Sequence, residues 1–287
     1  MKIDAHQHFW IYNSSEYGWI DDRMKVLKRD YLPGDLKSEL AATPFSGTVA
    51  VQARQSAEET RWLLQLAGQF DFIKGVVGWI DLCSEGTMKR QLDEFCKSKK
   101  LVGVRHVVHD EPEDNFMLRD DFLKGISLLK EYNLTYDLLL FPKHLPAAQI
   151  VVSMFPEQKF VLDHISKPLI KDHIISPWKE DIFRLAKHEN VWCKLSGMVT
   201  ESDWKNPKAD DLNPYLNVVF QAFGSDRLMT GSDWPVCRLA GGYEYVMGIV
   251  EGYISEMSAD IQQKILGINC IDFYGLNIRQ TFPENLV

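Results

Sequence analysis

The chain has 287 residues, 45% hydrophobic and 25% charged, and its 40 acidic against 32 basic side chains leave a formal charge of −8. That balance excludes a disordered chain, and with no basic stripe to neutralise phosphates it argues against a nucleic-acid partner. The length allows one large domain or two small ones.

The opening MKIDAHQHFW places an aspartate and two histidines where a signal peptide would carry its apolar core, and no apolar run approaches the ~20 residues of a membrane span. A cytoplasmic protein with no membrane partner is expected. Cys83, Cys96, Cys193, Cys237 and Cys270 form no CxxC pair, and their odd number reads as reduced, structural thiols. Short β-branched or apolar runs begin near Ile3 (IDAHQH), Gly47 (GTVAVQ), Lys74 (KGVVGWI), Val102 (VGVRHV), Leu134 (LTYDLLL), Lys159 (KFVLDH), Val191 (VWCKLS) and Arg227 (RLMTGSD), roughly one every 32 residues. Helical periodicity fills the gaps in AEETRWLLQLAGQF, EGTMKRQLDEFCKS, LRDDFLKGISLLKEY, KHLPAAQIVVSMF, PWKEDIFRLAKHE and NPYLNVVFQAFG. The alternation predicts an α/β fold, a TIM (β/α)8 barrel in a single domain over 1–287; a doubly wound sheet of five or six strands matches it less well. Two connections, Trp10 to Pro33 and Glu201 to Asn213, exceed a minimal loop and are expected to act as lids or binding loops. SADIQQKILGINCIDFYGL reads as closing helices, with Gly275 as the C-cap.

In such a barrel the strand C-termini form the active face. The first strand ends in His6-Gln7-His8, and a period of two points both imidazoles to one side, into the barrel mouth. The second ends in Gln52, the third in Asp81, the fourth in Arg105-His106; the fifth carries Asp137, the sixth ends in Asp163-His164 and the eighth in Ser232-Asp233-Trp234. His6 and His8 on strand one adjoin Asp233 on strand eight if the barrel closes. Three imidazoles and one carboxylate can form a metal site or an acid/base and oxyanion site. Asp163 is either a partner that orients a site residue or a structural group, since His164 takes the inward direction in strand alternation. Arg105 either anchors substrate oxygens or pairs with a buried carboxylate. His109, His144, His173 and His188 read as hydrogen-bonded structural residues. The tryptophans read mainly as packing, with Trp10 and Trp234, which follow His8 and Asp233 within two residues, the best candidates for stacking on a ligand.

These segments resemble the amidohydrolase superfamily of the amidohydrolase 2 type, in its branch of sugar-lactone hydrolases of the fuconolactonase and rhamnonolactonase kind. The resemblance spans nearly the whole chain, through DAHQHFW (4–10), VAVQA (49–53), GVVGWIDL (75–82), LVGVRH (101–106), VLDHISKP (161–168), MTGSDWPV (229–236) and ILGINCIDFYGL (265–276). HxH alone is weak; with DHISKP and GSDWP at matching barrel positions it is specific. Binuclear members typically add a bridging lysine or carboxylate from strand four and a histidine from strand five, whereas here those strands offer Arg105-His106 and LTYDLLL. The resemblance therefore implies either no required metal or one divalent ion, zinc suiting best, on His6, His8, His164 and Asp233.

What the resemblance implies is hydrolysis of a small-molecule substrate, an aldonic-acid lactone such as an L-fucono- or L-rhamnono-lactone, to the free acid. Asp233 is then the general base, His6, His8 and His164 polarise the carbonyl directly or through the ion, and Arg105, Gln52, Trp10 and Trp234 bind substrate. A carboxylated or aromatic lactone is the alternative substrate, with Arg54, Arg105 and Arg238 as its clamp. A metal-dependent decarboxylase of the same superfamily and a non-catalytic sugar-binding barrel are the competing readings.

Overall fold

All eight apolar runs form strands in the computed structural model, which describes residues 1–278. They are β1 (Lys2–Gln7), β2 (Phe45–Val51), β3 (Ile73–Gly78), β4 (Leu101–His106), β5 (Thr135–Leu138), β6 (Phe160–Leu162), β7 (Val191–Leu195) and β8 (Leu228–Thr230). Each pairs in parallel with the next, in sequence order. A parallel bridge between Gln7 and Trp234 brings the last strand back to the first. There the His8 N–H donates to the Trp234 carbonyl at 2.6 Å and the Asp233 N–H to the His6 carbonyl at 2.8 Å. A barrel that is closed in this way is what places HxH beside Asp233.

Helices α1 (Pro33–Ala41), α2 (Ala57–Gln69), α3 (Glu85–Phe95), α4 (Asp120–Leu129), α5 (Leu145–Met154), α6 (Trp178–Leu185), α7 (Ala209–Phe223) and α8 (Tyr243–Tyr253) follow the strands in turn. Local chemistry sets their ends: Ser56 Oγ accepts from the Glu59 N–H at 3.2 Å to cap α2, and Pro33, which has no N–H to lose, opens α1. Periodicity finds six of the eight. It passes over α1, which is short, and α8, whose YEYVMGIVEGY is too uniformly apolar and glycine-rich to show a face. The chain closes with α9 (Ala259–Gln263), a π-helical turn (Lys264–Ile268) and α10 (Asn269–Tyr274), stopped at Gly275 with φ 61°. Cys270, Phe273, Tyr274 and Leu276 join Ile3, Val49, Val77, Val161 and Met229 in one apolar cluster. Lys159, just before β6, points its ammonium at the carbonyls of Asp272 and Phe273, so these helices cover the N-terminal ends of the strands. The opposite end stays open. All five cysteines are unpaired, and no helix among the described residues is long and apolar enough to cross a membrane. The single domain expected over 1–287 runs at 279–287 outside the described residues.

Candidate active site

A cavity of about 750 Å³ opens at the C-terminal ends of the strands, a usual size for a small-molecule site. His8, Arg105, His164 and Asp233 reach its surface, and the two long connections supply Glu16, Trp19 and Met24 from one and Glu201 and Trp204 from the other, with Thr200 just before it.

Asp4 sets the first wall. Its carboxylate accepts from the backbone N–H groups of His6 at 3.1 Å and Ser232 at 2.9 Å and from the Ser232 hydroxyl at 2.6 Å, which pins β1 to the segment after β8. Gly231 lets the two come that close, since a Cβ there would lie 2.8 Å from the Cβ of His6. The pinning leaves Asp233 Oδ1 3.2 Å from His8 Nε2 and 3.8 Å from His6 Nε2, with the two imidazole Nε2 atoms 3.1 Å apart. Asp233 itself has φ 55°, a left-handed backbone that aspartate tolerates better than most residues.

The sixth wall departs from strand alternation. His164, Ile165, Ser166 and Lys167 have φ of 55°, 47°, 62° and 49°, a left-handed run that costs roughly 1–2 kcal/mol per non-glycine residue. It turns both Asp163 and His164 inward. Burial and the Trp178 indole, which donates to the Ile165 carbonyl at 2.8 Å, hold the run in place. His164 Nδ1 shares a hydrogen bond of 2.9 Å with Ser196 Oγ, while its Nε2 points toward Asp233 Oδ1 at 3.9 Å. Gly197, with φ 59°, leaves room for that ring: a Cβ there would stand 2.4 Å from His164 Nδ1. Because Ser196 fixes the ring from the same side, Gly197→Ala is expected to displace His164 and lower kcat/KM by about 10²-fold. Steady-state kinetics on the folded variant check this, and activity within twofold of wild type would remove His164 from the reaction.

Beneath the cavity lies a buried ionic network. Arg105 Nη1 donates to Asp163 Oδ2 at 2.9 Å and Nη2 to the Gln52 carbonyl; Lys194 Nζ sits 2.5 Å from Asp137 Oδ2 and 3.0 Å from Asp163 Oδ1, and the Tyr274 hydroxyl donates to Asp137 at 2.8 Å. Burial works to raise the Asp163 carboxyl, but Lys194, His6 and Arg105 hold it well below the usual range. Burial also raises Asp233, and His164, His8 and Lys167 outweigh it, so Asp233 is ionised at neutral pH. His6 and His164, desolvated, are held well below the usual imidazole value and are neutral.

Four of the residues singled out from sequence thus meet at the cavity floor, and His6 lies directly behind His8, fully buried. Three binding expectations are corrected. Trp10 and Trp234 are fully buried and stack edge-on against Tyr31, with centroids 5.5 and 5.2 Å away: Trp234, next to Asp233, turns into the core, and Trp10, two residues after His8 and beyond the end of β1, donates its indole N–H to the Arg29 carbonyl at 2.9 Å. Gln52 is also fully buried; its amide donates to the Arg105 carbonyl at 3.2 Å, so it orients Arg105 and does not reach the cavity. Arg105 does both things foreseen for it, pairing with Asp163 while presenting to the cavity. His109, read as structural, lines the cavity and stacks on Phe141 at 4.7 Å. Lys194 was not singled out, although a lone lysine inside the apolar VWCKL was the signal for it.

The donor set fits one divalent ion. Ligand bonds of about 2.0–2.2 Å in a tetrahedron put ligand atoms about 3.3–3.6 Å apart, and the three donors from His6, His8 and Asp233 are separated by 3.1–3.8 Å. His8 Nδ1 donates to the Val51 carbonyl at 2.7 Å, which leaves Nε2 as the atom that would face an ion. The other three-residue group, His6, Asp163 and His164, has its carboxylate engaged by two cations.

Titratable side chains gathered from several strand ends of one (β/α)8 barrel define a barrel enzyme with its chemistry at the open face. The chain belongs to the Amidohydrolase family, whose profile matches residues 3–276. It is 38% identical to an L-fucono-1,5-lactonase of Burkholderia multivorans and 33% identical to an L-fucono-1,5-lactonase of Burkholderia ambifaria, covering 96% of this chain and 96% of the relative in each case. A crystal structure of an amidohydrolase from Burkholderia multivorans with bound zinc superposes with a TM-score of 0.92 at 38% identity, over 96% of this chain and 100% of the other.

Proposed function

We propose that the chain hydrolyses a neutral sugar-derived lactone, such as an L-fucono- or L-rhamnono-lactone, to the aldonic acid. That the enzyme is a lactonase rests on its family and on the L-fucono-1,5-lactonases it is similar to along nearly its whole length. The mechanism is carried by one observation, the Asp233 carboxylate facing His8 at 3.2 Å and His164 at 3.9 Å at the cavity floor. Asp233 takes a proton from water as the water oxygen adds to the lactone carbonyl carbon; the bond from that carbon to the ring oxygen breaks, and the departing oxygen takes the proton back. With Ser196 donating to Nδ1, His164 presents an Nε2–H to the developing oxyanion. Arg105, held on its far side by Asp163 and Gln52, adds fixed positive charge. His6, His8, His164 and Asp233 are the residues that would hold a zinc ion, which when bound supplies a Lewis acid for the carbonyl.

Support for a neutral substrate comes from the arginines. Arg105 is paired with Asp163 at 2.9 Å and Arg54 with Glu16 at 2.7 Å, while Arg238 pairs with Glu39 at 3.0 Å and does not line the cavity. No three arginines converge, among the described residues, to clamp a dicarboxylate. Five unpaired cysteines favour a reducing, cytoplasmic setting. A screen of L- and D-aldonolactones with a pH indicator, with and without chelator, tests the reading. Turnover of neutral deoxy-sugar lactones and none of a pyrone dicarboxylate is expected; preference for the dicarboxylate, or binding without turnover, overturns it.

A further inference from the structure

We propose that Glu201 is a specificity-determining residue: by covering the Lys167 ammonium it lets the cavity take a neutral sugar lactone and keeps it from holding the anionic sugar acid. The inference rests on the lactonase reading and deepens it. Hydrolysis turns an uncharged ring into an acid that is ionised at neutral pH. An uncovered cation on the cavity wall would therefore bind product more tightly than substrate. Among the described residues three lysines and arginines line the cavity, and each meets a carboxylate. Arg105 meets Asp163 from beneath. The other two are covered by the long connections, one glutamate from each: Glu16 pairs with Arg54 at 2.7 Å and Glu201 with Lys167 at 3.1 Å.

The two pairs are not equal. The Glu16 side chain is 47% exposed, and Arg54 has a second carboxylate, Glu59, 3.9 Å from its Nε. The Lys167 and Glu201 side chains are 17% and 21% exposed, and Glu201 is the one ion-pair partner of Lys167 among the described residues. Solvent screens that pair less, and nothing else offsets the ammonium. The backbone holds both ends. Lys167, with φ 49°, ends the left-handed run that turns His164 inward, so its place is tied to that of the reaction centre. Glu201 closes the turn Met198–Glu201 after β7, and its carbonyl accepts from the Lys171 N–H at 2.9 Å. An ammonium has three hydrogens. Directing one at Glu201 offsets the charge and leaves donors for a sugar hydroxyl, which needs hydrogen bonds and no net charge.

The test compares L-fuconate with L-fucitol, which differ only in carrying a carboxylate or a hydroxymethyl group at C1, in ligand-detected NMR titrations of the chelator-treated full chain. Glu201→Gln keeps an acceptor for Lys167 and removes the charge. It is expected to raise the affinity for L-fuconate relative to L-fucitol about tenfold over wild type, a gain that shrinks as salt is added. Glu16→Gln, which leaves Glu59 beside Arg54, is expected to raise it less than about threefold. In Glu201→Gln/Lys167→Met the ratio is expected to return to that of wild type. Lys167→Met alone leaves the Glu201 charge uncovered and is expected to lower the ratio, so it serves if Glu201→Gln does not fold. A ratio in folded Glu201→Gln within twofold of wild type, or a gain that survives in the double variant, overturns the proposal. Neither titration involves turnover: an unmoved ratio strikes the role of Glu201 and leaves the lactonase reading standing, whereas a failed lactone screen strikes that reading and leaves the ratio as measured.

Discussion

Asp233→Asn is expected to fold normally and to lose about 10³-fold in kcat, the scale of a missing general base. The substitution is isosteric, and asparagine accepts the left-handed backbone at this position, φ 55°, as readily as aspartate. The local hydrogen bonds that use the Asp233 backbone, its N–H to the His6 carbonyl and its carbonyl from Cys237, remain. What disappears is an oxygen able to accept a proton. The amide also makes a poorer ion ligand, and the two effects separate by measuring both proteins after chelation. If Asp233 is the base, the ratio of wild-type to variant kcat is the same with and without chelator. A variant with near-normal turnover sinks the assignment, whereas a defect that vanishes on chelation makes Asp233 a ligand only.

The barrel was readable from the chain because parallel strands buried on both faces appear as continuous apolar runs, and eight such runs at even spacing leave few architectures. HxH was readable for a related reason: positions two apart on a strand share a side, and β1 starts the chain beside where β8 must close. Asp163 and His164 were half legible. Alternation allows one of two neighbours to face inward, and DHISK contains no glycine to announce that four residues adopt left-handed backbone and turn both side chains in. Trp10 and Trp234 misled by proximity in sequence: Trp234 adjoins Asp233 and turns away from it, while Trp10 comes two residues after His8, beyond the end of β1, where strand alternation no longer sets its direction. Lys194 carried a visible signal, one charge in an apolar strand, but its meaning depended on β5, β6 and β7 lying side by side. Only that order brings Asp137 and Asp163 to the same ammonium.

The same network predicts the largest loss of stability. Asp163 is fully buried and pairs with both Arg105 and Lys194. Asp163→Leu fills the volume but removes the carboxylate, leaving the buried Arg105 guanidinium without an anion and Lys194 with Asp137 alone. Removing one partner from a buried pair costs about 3–5 kcal/mol, more than the pair itself adds, because the remaining charge cannot return to water. Denaturant unfolding is expected to show a free energy lowered by that amount, seen as a lower midpoint with an unchanged slope. Replacing both partners tests the cause. Arg105→Met/Asp163→Leu is expected to lose less than the two single changes summed, since no charge is then stranded. Glu157→Gln, which removes an exposed partner of Lys130, should leave the midpoint unmoved. A loss under about 1 kcal/mol for Asp163→Leu, or additivity in the double variant, would mean that water reaches the network and that Arg105 is not held by Asp163.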